Sequence, residues 1–229
     1  MKLLGHMSIL ILTVLMLLLT GCRQDKALFH ARGDLTGEGE FLVVLTGEDG
    51  KEYLKDLIIY DTRSGKREVF RKDISDLNPW KLMVGDVDGD GLDEISIGVY
   101  KESPLHPVMA KRPFFYNFNG EDLVPKWRGS RLSRPFEDYI LFDLDKDRIM
   151  EVVSVEYLED GTQVLNSYKW REFGFEGYKE TDAVKSIQKV FIFNDQLHAI
   201  IGEDLVNTRY FVEEAEEGLE WREYHEKEE

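Results

Sequence analysis

Apolar positions in this chain come in short alternating runs broken by glycine and aspartate, and they do not form the stripe of a 3.6-residue helix. From residue 26 to 224 the pattern recurs with a period of about 50 residues. Each unit opens on a short apolar run: Leu28-Phe29, Trp80 to Val84, Tyr139 to Phe142, and Val190 to Phe193. An acidic loop and a second apolar run follow. A hairpin then closes the unit, running Tyr60 to Phe70, Tyr116 to Trp127, Tyr168 to Tyr178, and Phe211 to Trp221. The bounding aromatics are 10, 11, 10 and 10 residues apart, around Ser64-Gly65, Asn119-Gly120, Phe173-Gly174 and Glu217-Gly218. Glycine turns between alternating apolar residues are hairpin signals. Four strands per unit in four units predict an all-β, propeller-like fold of about four antiparallel blades over residues 26–224, with 225–229 as an acidic tail. Lys101 to Arg112, with Pro104 and Pro107 inside it, is the least repetitive segment. Insertions of this kind map to loops and often to a binding face, so it is the first place to expect a partner site.

The N-terminus follows a different pattern. Lys2 precedes an almost wholly apolar stretch from Ser8 to Leu19, shorter than the roughly 20 residues of a membrane span. Leu19-Thr20-Gly21-Cys22 follows directly and resembles the bacterial lipobox. The resemblance implies a signal peptide over residues 1–21 and a diacylglyceryl group on Cys22. It also implies a short linker over 22–25 and a mature protein held by lipid on the extracytoplasmic face of the cell membrane. Cys22 is the chain's single cysteine, which suits acylation better than redox or metal chemistry. Removal of the signal leaves 208 residues, an ordinary single domain.

Composition narrows the partners. Thirteen Phe, ten Tyr and four Trp suffice for a packed core, while a formal charge of −16 argues against nucleic acid. The same charge disfavours adsorption of the body onto anionic lipid, leaving the acyl group as the membrane link. With Cys22 committed to lipid there is no Cys–His nucleophile, and neither a Gly-x-Ser-x-Gly elbow nor a Walker-type loop occurs. His6, His30, His106, His198 and His225 show no ligand spacing; His6 leaves with the signal peptide, and the other four are expected on the surface or in loops. Arg32-Gly33-Asp34 spells an integrin-recognition tripeptide, but its Gly-Asp belongs to the repeat. Among Trp80, Trp127, Trp170 and Trp221, all able to stack on a sugar, Trp127 and Trp221 hold repeat positions that suit blade packing.

The acidic loops carry the candidate chemistry. In a tight loop, side chains at positions 1, 3, 5 and 9 and the carbonyl at 7 converge on one hard cation, and calcium takes six to eight oxygens. The second loop offers Asp86, Asp88, Asp90 and Glu94 with the Leu92 carbonyl. The third offers Asp143, Asp145, Asp147 and Glu151 with the Ile149 carbonyl, but Arg148 replaces the glycine found at Gly91. The first keeps Asp34 and Glu38 but has Thr36 and Leu42, so it is a poor site. The fourth, Phe193-Asn194-Asp195-Gln196, is expected to be metal-free. An EF-hand is excluded because its twelfth-position Glu falls here on Ile97.

The run Gly85-Asp86-Val87-Asp88-Gly89-Asp90-Gly91-Leu92-Asp93-Glu94-Ile95 resembles the calcium-loop core of FG-GAP or VCBS-type repeats, found in integrin-like propellers. Such families often close seven blades, whereas this chain has room for about four. A small closed ring, an arc, and a ring completed by another chain all stay open. The leading expectation is a lipid-anchored, non-enzymatic module with structural calcium that presents loops to a protein or glycan outside the cell. Fold-level resemblance does not choose among the functions. The alternatives are an extracytoplasmic glycan hydrolase or lyase on the same scaffold, and an accessory subunit of an envelope complex.

Overall fold

The computed structural model describes residues 26–203 and 206–225. The expected signal peptide 1–21, Cys22 with its linker to residue 25, and tail residues 226–229 lie outside the described residues.

Sixteen strands form four antiparallel meanders. Blade one holds β1 (Lys26–Gly33), β2 (Phe41–Gly47), β3 (Asp56–Asp61) and β4 (Arg67–Asp73). Blade two holds β5 (Pro79–Gly85), β6 (Glu94–Ser103), β7 (His106–Phe118) and β8 (Leu123–Trp127). Blade three holds β9 (Phe136–Phe142), β10 (Glu151–Tyr157), β11 (Gln163–Arg171) and β12 (Gly174–Glu180). Blade four holds β13 (Ile187–Phe193), β14 (Gln196–Glu203), β15 (Val206–Glu214) and β16 (Leu219–Glu223). A 3-10 turn, Ser75–Leu77, links the first two blades. The expected all-β, four-by-four propeller-like arrangement is what the chain adopts.

The second strand of each blade is buried on both faces, and its alternation assigns each face to a different neighbour. Phe41, Val43 and Leu45 of β2 join Ile95, Ile97 and Val99 of β6 in one hydrophobic cluster. The opposite face of blade two supplies Phe115 to a second cluster with Tyr139, Leu141, Val152 and Tyr168 of blade three. Val153 and Val155, on the other face of β10, meet Leu197, Ala199, Val190 and Val212 of blade four. Every junction thus sets the trailing face of one blade on the leading face of the next. Among the described residues no hydrophobic cluster joins blade four to blade one. The first strand of each blade is paired with a register shift, at Ala27/Phe29, Pro79/Lys81, Val155/Glu156 and Ile187/Lys189. Such bulges increase local twist, and here they recur in step with the repeat.

The topology gives the body two ends. All three acidic loops join a first strand to a second, and they are tied together at one end: Asp93 N–H donates to Asp34 O (2.8 Å) and Met150 N–H to Asp86 O (2.7 Å). The β2–β3 connection and the β6–β7 hairpin lie at the far end, where Tyr53 stacks on Tyr100 at 5.9 Å. Lys26, paired with Gly47, starts the described chain at this far end.

The segment Lys101–Arg112, expected as a loop, is instead a two-stranded projection. The β6–β7 ladder continues through Val99↔Arg112, Tyr100↔Lys111 and Lys101↔Ala110 to Ser103↔His106. Arg112 is fully buried at its root. Its Nε donates to Lys101 O (2.7 Å), and its Nη2 donates to Val108 O (2.8 Å) and His106 O (3.1 Å). A side chain thus supplies donors that a longer sheet would have supplied.

Candidate cation loops

The three acidic loops share one backbone. Positions four and six lie in the left-handed region in each: Gly37 and Gly39, Gly89 and Gly91, then Lys146 (φ 63°) and Arg148 (φ 75°). The first carboxylate organises the turn by accepting backbone N–H groups. Asp34 Oδ1 accepts from Gly37 (2.8 Å), Asp86 Oδ1 from Gly89 (2.7 Å), Asp86 Oδ2 from Gly91 (2.9 Å), and Asp143 Oδ2 from Arg148 (3.0 Å). The fourth unit departs from this: Asn194 (φ 50°) and Asp195 (φ 55°) form a two-residue hairpin turn with both residues left-handed.

The second loop brings carboxylate oxygens of Asp86, Asp88 and Asp90 within 4.8 Å of one another. Glu94 turns inward and is fully buried. Its Oε2 accepts from Val87 N–H (3.0 Å), and its Oε1 accepts from Asn117 Nδ2 (2.9 Å) and Lys126 Nζ (2.9 Å). The Lys126 ammonium also bonds Asp88 and lies 5.2 Å from the ring centre of Trp170, contributed by the next blade. Burial pushes the Glu94 carboxyl up, against the pull of Val87 N–H and Lys126. Burial opposes the charge on Lys126 too, but Asp88 and Glu94 outweigh it and hold the amine above its ordinary value.

In the third loop, oxygens of Asp143, Asp145 and Glu151 lie within 4.8 Å of one another. Asp147 instead accepts Ile149 N–H (2.8 Å) and stands 3.6 Å from Lys169 Nζ. Lys169 bonds Asp145 and approaches Glu151 Oε1 at 3.4 Å. Glu151 is nearly fully buried, and its Oε2 accepts Leu144 N–H (2.8 Å). Burial pushes it up to about 7 even though Leu144 N–H and Lys169 pull the other way. Asp143 Oδ1 and Asp145 Oδ1 are buried with no hydrogen-bond donor. An unpaired buried acceptor is costly, so this donor set of hard oxygens fits a divalent cation. The loop borders a groove of about 440 Å³ whose lining includes Asp143, Asp145, Asp195, Glu213 and Glu214.

The first loop has no carboxylate cluster of this kind. Arg63 bonds Glu38 (2.6 Å) and Asp61 (2.9 Å) and holds the Asp61 carboxyl well below the usual range. In all three loops, then, a basic side chain from the outer half of a blade sits among the acids. Sequence reading missed Arg63, Lys126 and Lys169. The signal that finds two of the loop partners is register: Asn117 and Lys169 each follow the tyrosine that pairs with the first apolar residue after the loop, Ile95↔Tyr116 and Val152↔Tyr168.

Other residues considered for binding serve packing. Trp80 meets Tyr139 (5.8 Å), Trp127 and Trp170 flank Phe175 (5.2 and 5.3 Å), and Trp221 packs on Tyr210 (6.2 Å). His198, expected on the surface, is fully buried on β14. The alternation that turns Leu197 and Ala199 into the core turns His198 to the other face. There it stacks on Phe191 (5.6 Å) and its Nδ1 accepts from Arg209 Nε (3.2 Å). Burial and the Arg209 charge lower its pKa. Glu156, also fully buried, accepts from Ser154 (2.8 Å), Asn166 (3.1 Å) and the Tyr168 hydroxyl, so it knits the blade interior together.

No family model, curated protein or solved structure matches this chain.

Proposed function

We propose that the protein is a lipid-anchored, extracytoplasmic binding or scaffold module whose second and third acidic loops take structural calcium. The observation that carries the calcium reading is the third loop, where Asp143, Asp145 and Glu151 converge while Asp143 Oδ1 and Asp145 Oδ1 lack donors. The Asp86, Asp88 and Asp90 oxygens support the same chemistry one blade earlier. A bound ion relieves repulsion among confined carboxylates and braces the loops that tie one blade to the next. Extracellular modules bind calcium at about 10⁻⁴–10⁻³ M, a range in which such a site stays filled outside the cell and does not act as a sensor. The anchoring reading is supported by Leu19-Thr20-Gly21-Cys22 and the absence of any other cysteine.

Thermal melting of residues 23–229 in calcium and in EGTA tests the calcium reading. A higher midpoint in calcium is expected, reduced in Asp88→Ala and in Asp145→Ala. Identical midpoints for all three proteins in both buffers would sink it.

A further inference from the structure

We propose that the β6–β7 hairpin tip is a second membrane contact that dips into the lipid surface beside the acylated N-terminus. The proposal rests on the lipid-anchor reading of Cys22. Three observations lead to it.

The tip is apolar and open to solvent: Leu105 is 89% exposed, Val108 53% and Met109 41%. Clustered exposed aliphatics on a soluble surface mark an interaction site. The second observation is direction. Lys26 pairs with Gly47 at the far end of blade one, and the connection that follows Gly47 stacks Tyr53 on Tyr100 at the hairpin root. The chain therefore leaves toward Cys22 from the same end at which the hairpin projects. The third is reach. Cys22 lies four residues before Lys26, so its lipid stands at most about 14 Å beyond β1. Leu105 lies five residues beyond Tyr100, about 16 Å at strand rise. Four residues of chain are thus long enough to let the lipid lie about level with the tip.

Charge favours lipid as the occupant. Within a chain of formal charge −16, the charges that reach solvent on this projection are Lys101 and Lys111 against Glu102, with Lys111 also bonding Glu137 (2.7 Å) and Arg112 buried at the root. An apolar tip with basic flanks is the pattern that lies at an anionic headgroup boundary. The carbonyl bonds of Arg112 hold the projection in shape before it meets the bilayer.

The test uses the full chain carrying Leu105→Cys, expressed with its own leader and reconstituted into phosphatidylethanolamine–phosphatidylglycerol vesicles. With Cys22 acylated, residue 105 presents the single reactive thiol, which is labelled with the environment-sensitive fluorophore NBD. A matching Glu121→Cys protein places the label in the exposed β7–β8 turn at the opposite end. At 105 the emission is expected to shift to the blue and to be quenched by brominated acyl chains; at 121 neither is expected. Lipidated protein, verified by intact mass, whose residue-105 label stays water-like would overturn the proposal while sparing the anchor. So would a blue shift that follows protein concentration without vesicles, since the tip would then dock a second copy. A mature mass without lipid would overturn the anchor and this proposal together.

Discussion

Asp93 and Asp34 hold each other across the first blade junction: Asp93 N–H donates to Asp34 O at 2.8 Å, and Asp34 N–H donates to Asp93 Oδ2 at 2.7 Å. Neighbouring Gly33 leaves the room for this, because a Cβ there would stand 2.5 Å from both Asp93 Oδ2 and Val84 Cγ1. Asp93→Ala strands the Asp34 donor and is expected to cost about 1–3 kcal/mol, read from urea denaturation. Asp93→Asn keeps an acceptor and is expected to lose less than half as much. Equal losses would show that the bond does not tie the blades.

Lys169 and a divalent ion make competing claims on the third loop. In EGTA, Lys169→Met leaves Asp145 and Glu151 without their cation and is expected to destabilise by roughly 3 kcal/mol. Calcium should recover most of that loss, so the calcium-dependent rise in melting temperature is expected to be larger than in wild type. A variant equally unstable in both buffers would refute the competition.

Glu151 gives the metal-free protein a pH signature. Burial raises its carboxyl to about 7 in the fold, against about 4.3 in an unfolded chain. The folded state therefore binds the extra proton between these values. The contribution to stability is complete below about 4.3 and is lost as pH rises through about 7. Urea midpoints in EGTA are expected to fall from pH 5 to pH 8 more steeply in wild type than in Glu151→Gln. Since calcium needs the ionised carboxylate, its affinity should strengthen over the same rise in pH.

Arg148 occupies a left-handed position, φ 75°, that the second loop fills with Gly91. Non-glycine residues pay about 1–3 kcal/mol there. Arg148→Gly is expected to raise stability in EGTA by about 1 kcal/mol, the remainder being offset by the flexibility glycine adds to the unfolded chain. An unchanged or lower urea midpoint would count against strain at this position.

The fold was legible in the sequence because each strand carries its own signal. Phe41 to Leu45 is an unbroken apolar run, and Ser64-Gly65 and Asn119-Gly120 mark turns. The acidic spacing of the loops was legible for the same local reason. What escaped was non-local. Lys126 meets Glu94 from 32 residues away, and only pairing of whole strands brings it there. The strand character of Lys101–Arg112 was hidden by Pro104 and Pro107, because the buried Arg112 stabilises a ladder that local propensity disfavours. His198 was misplaced since a histidine among apolar neighbours gives no sign of the aromatic rings that will cover it.

The trailing-to-leading junctions give the molecule an order of assembly. With the partly buried residues packed against each, the first cluster draws on residues 31 to 123, the second on 80 to 175, and the third on 83 to 221. A chain delivered N-terminus first can therefore lock its joints one after another, each complete once the following blade has emerged. Blade four is added last, and among the described residues its hydrophobic joint is with blade three. Joints made between consecutive blades should pass cooperativity along the chain from neighbour to neighbour.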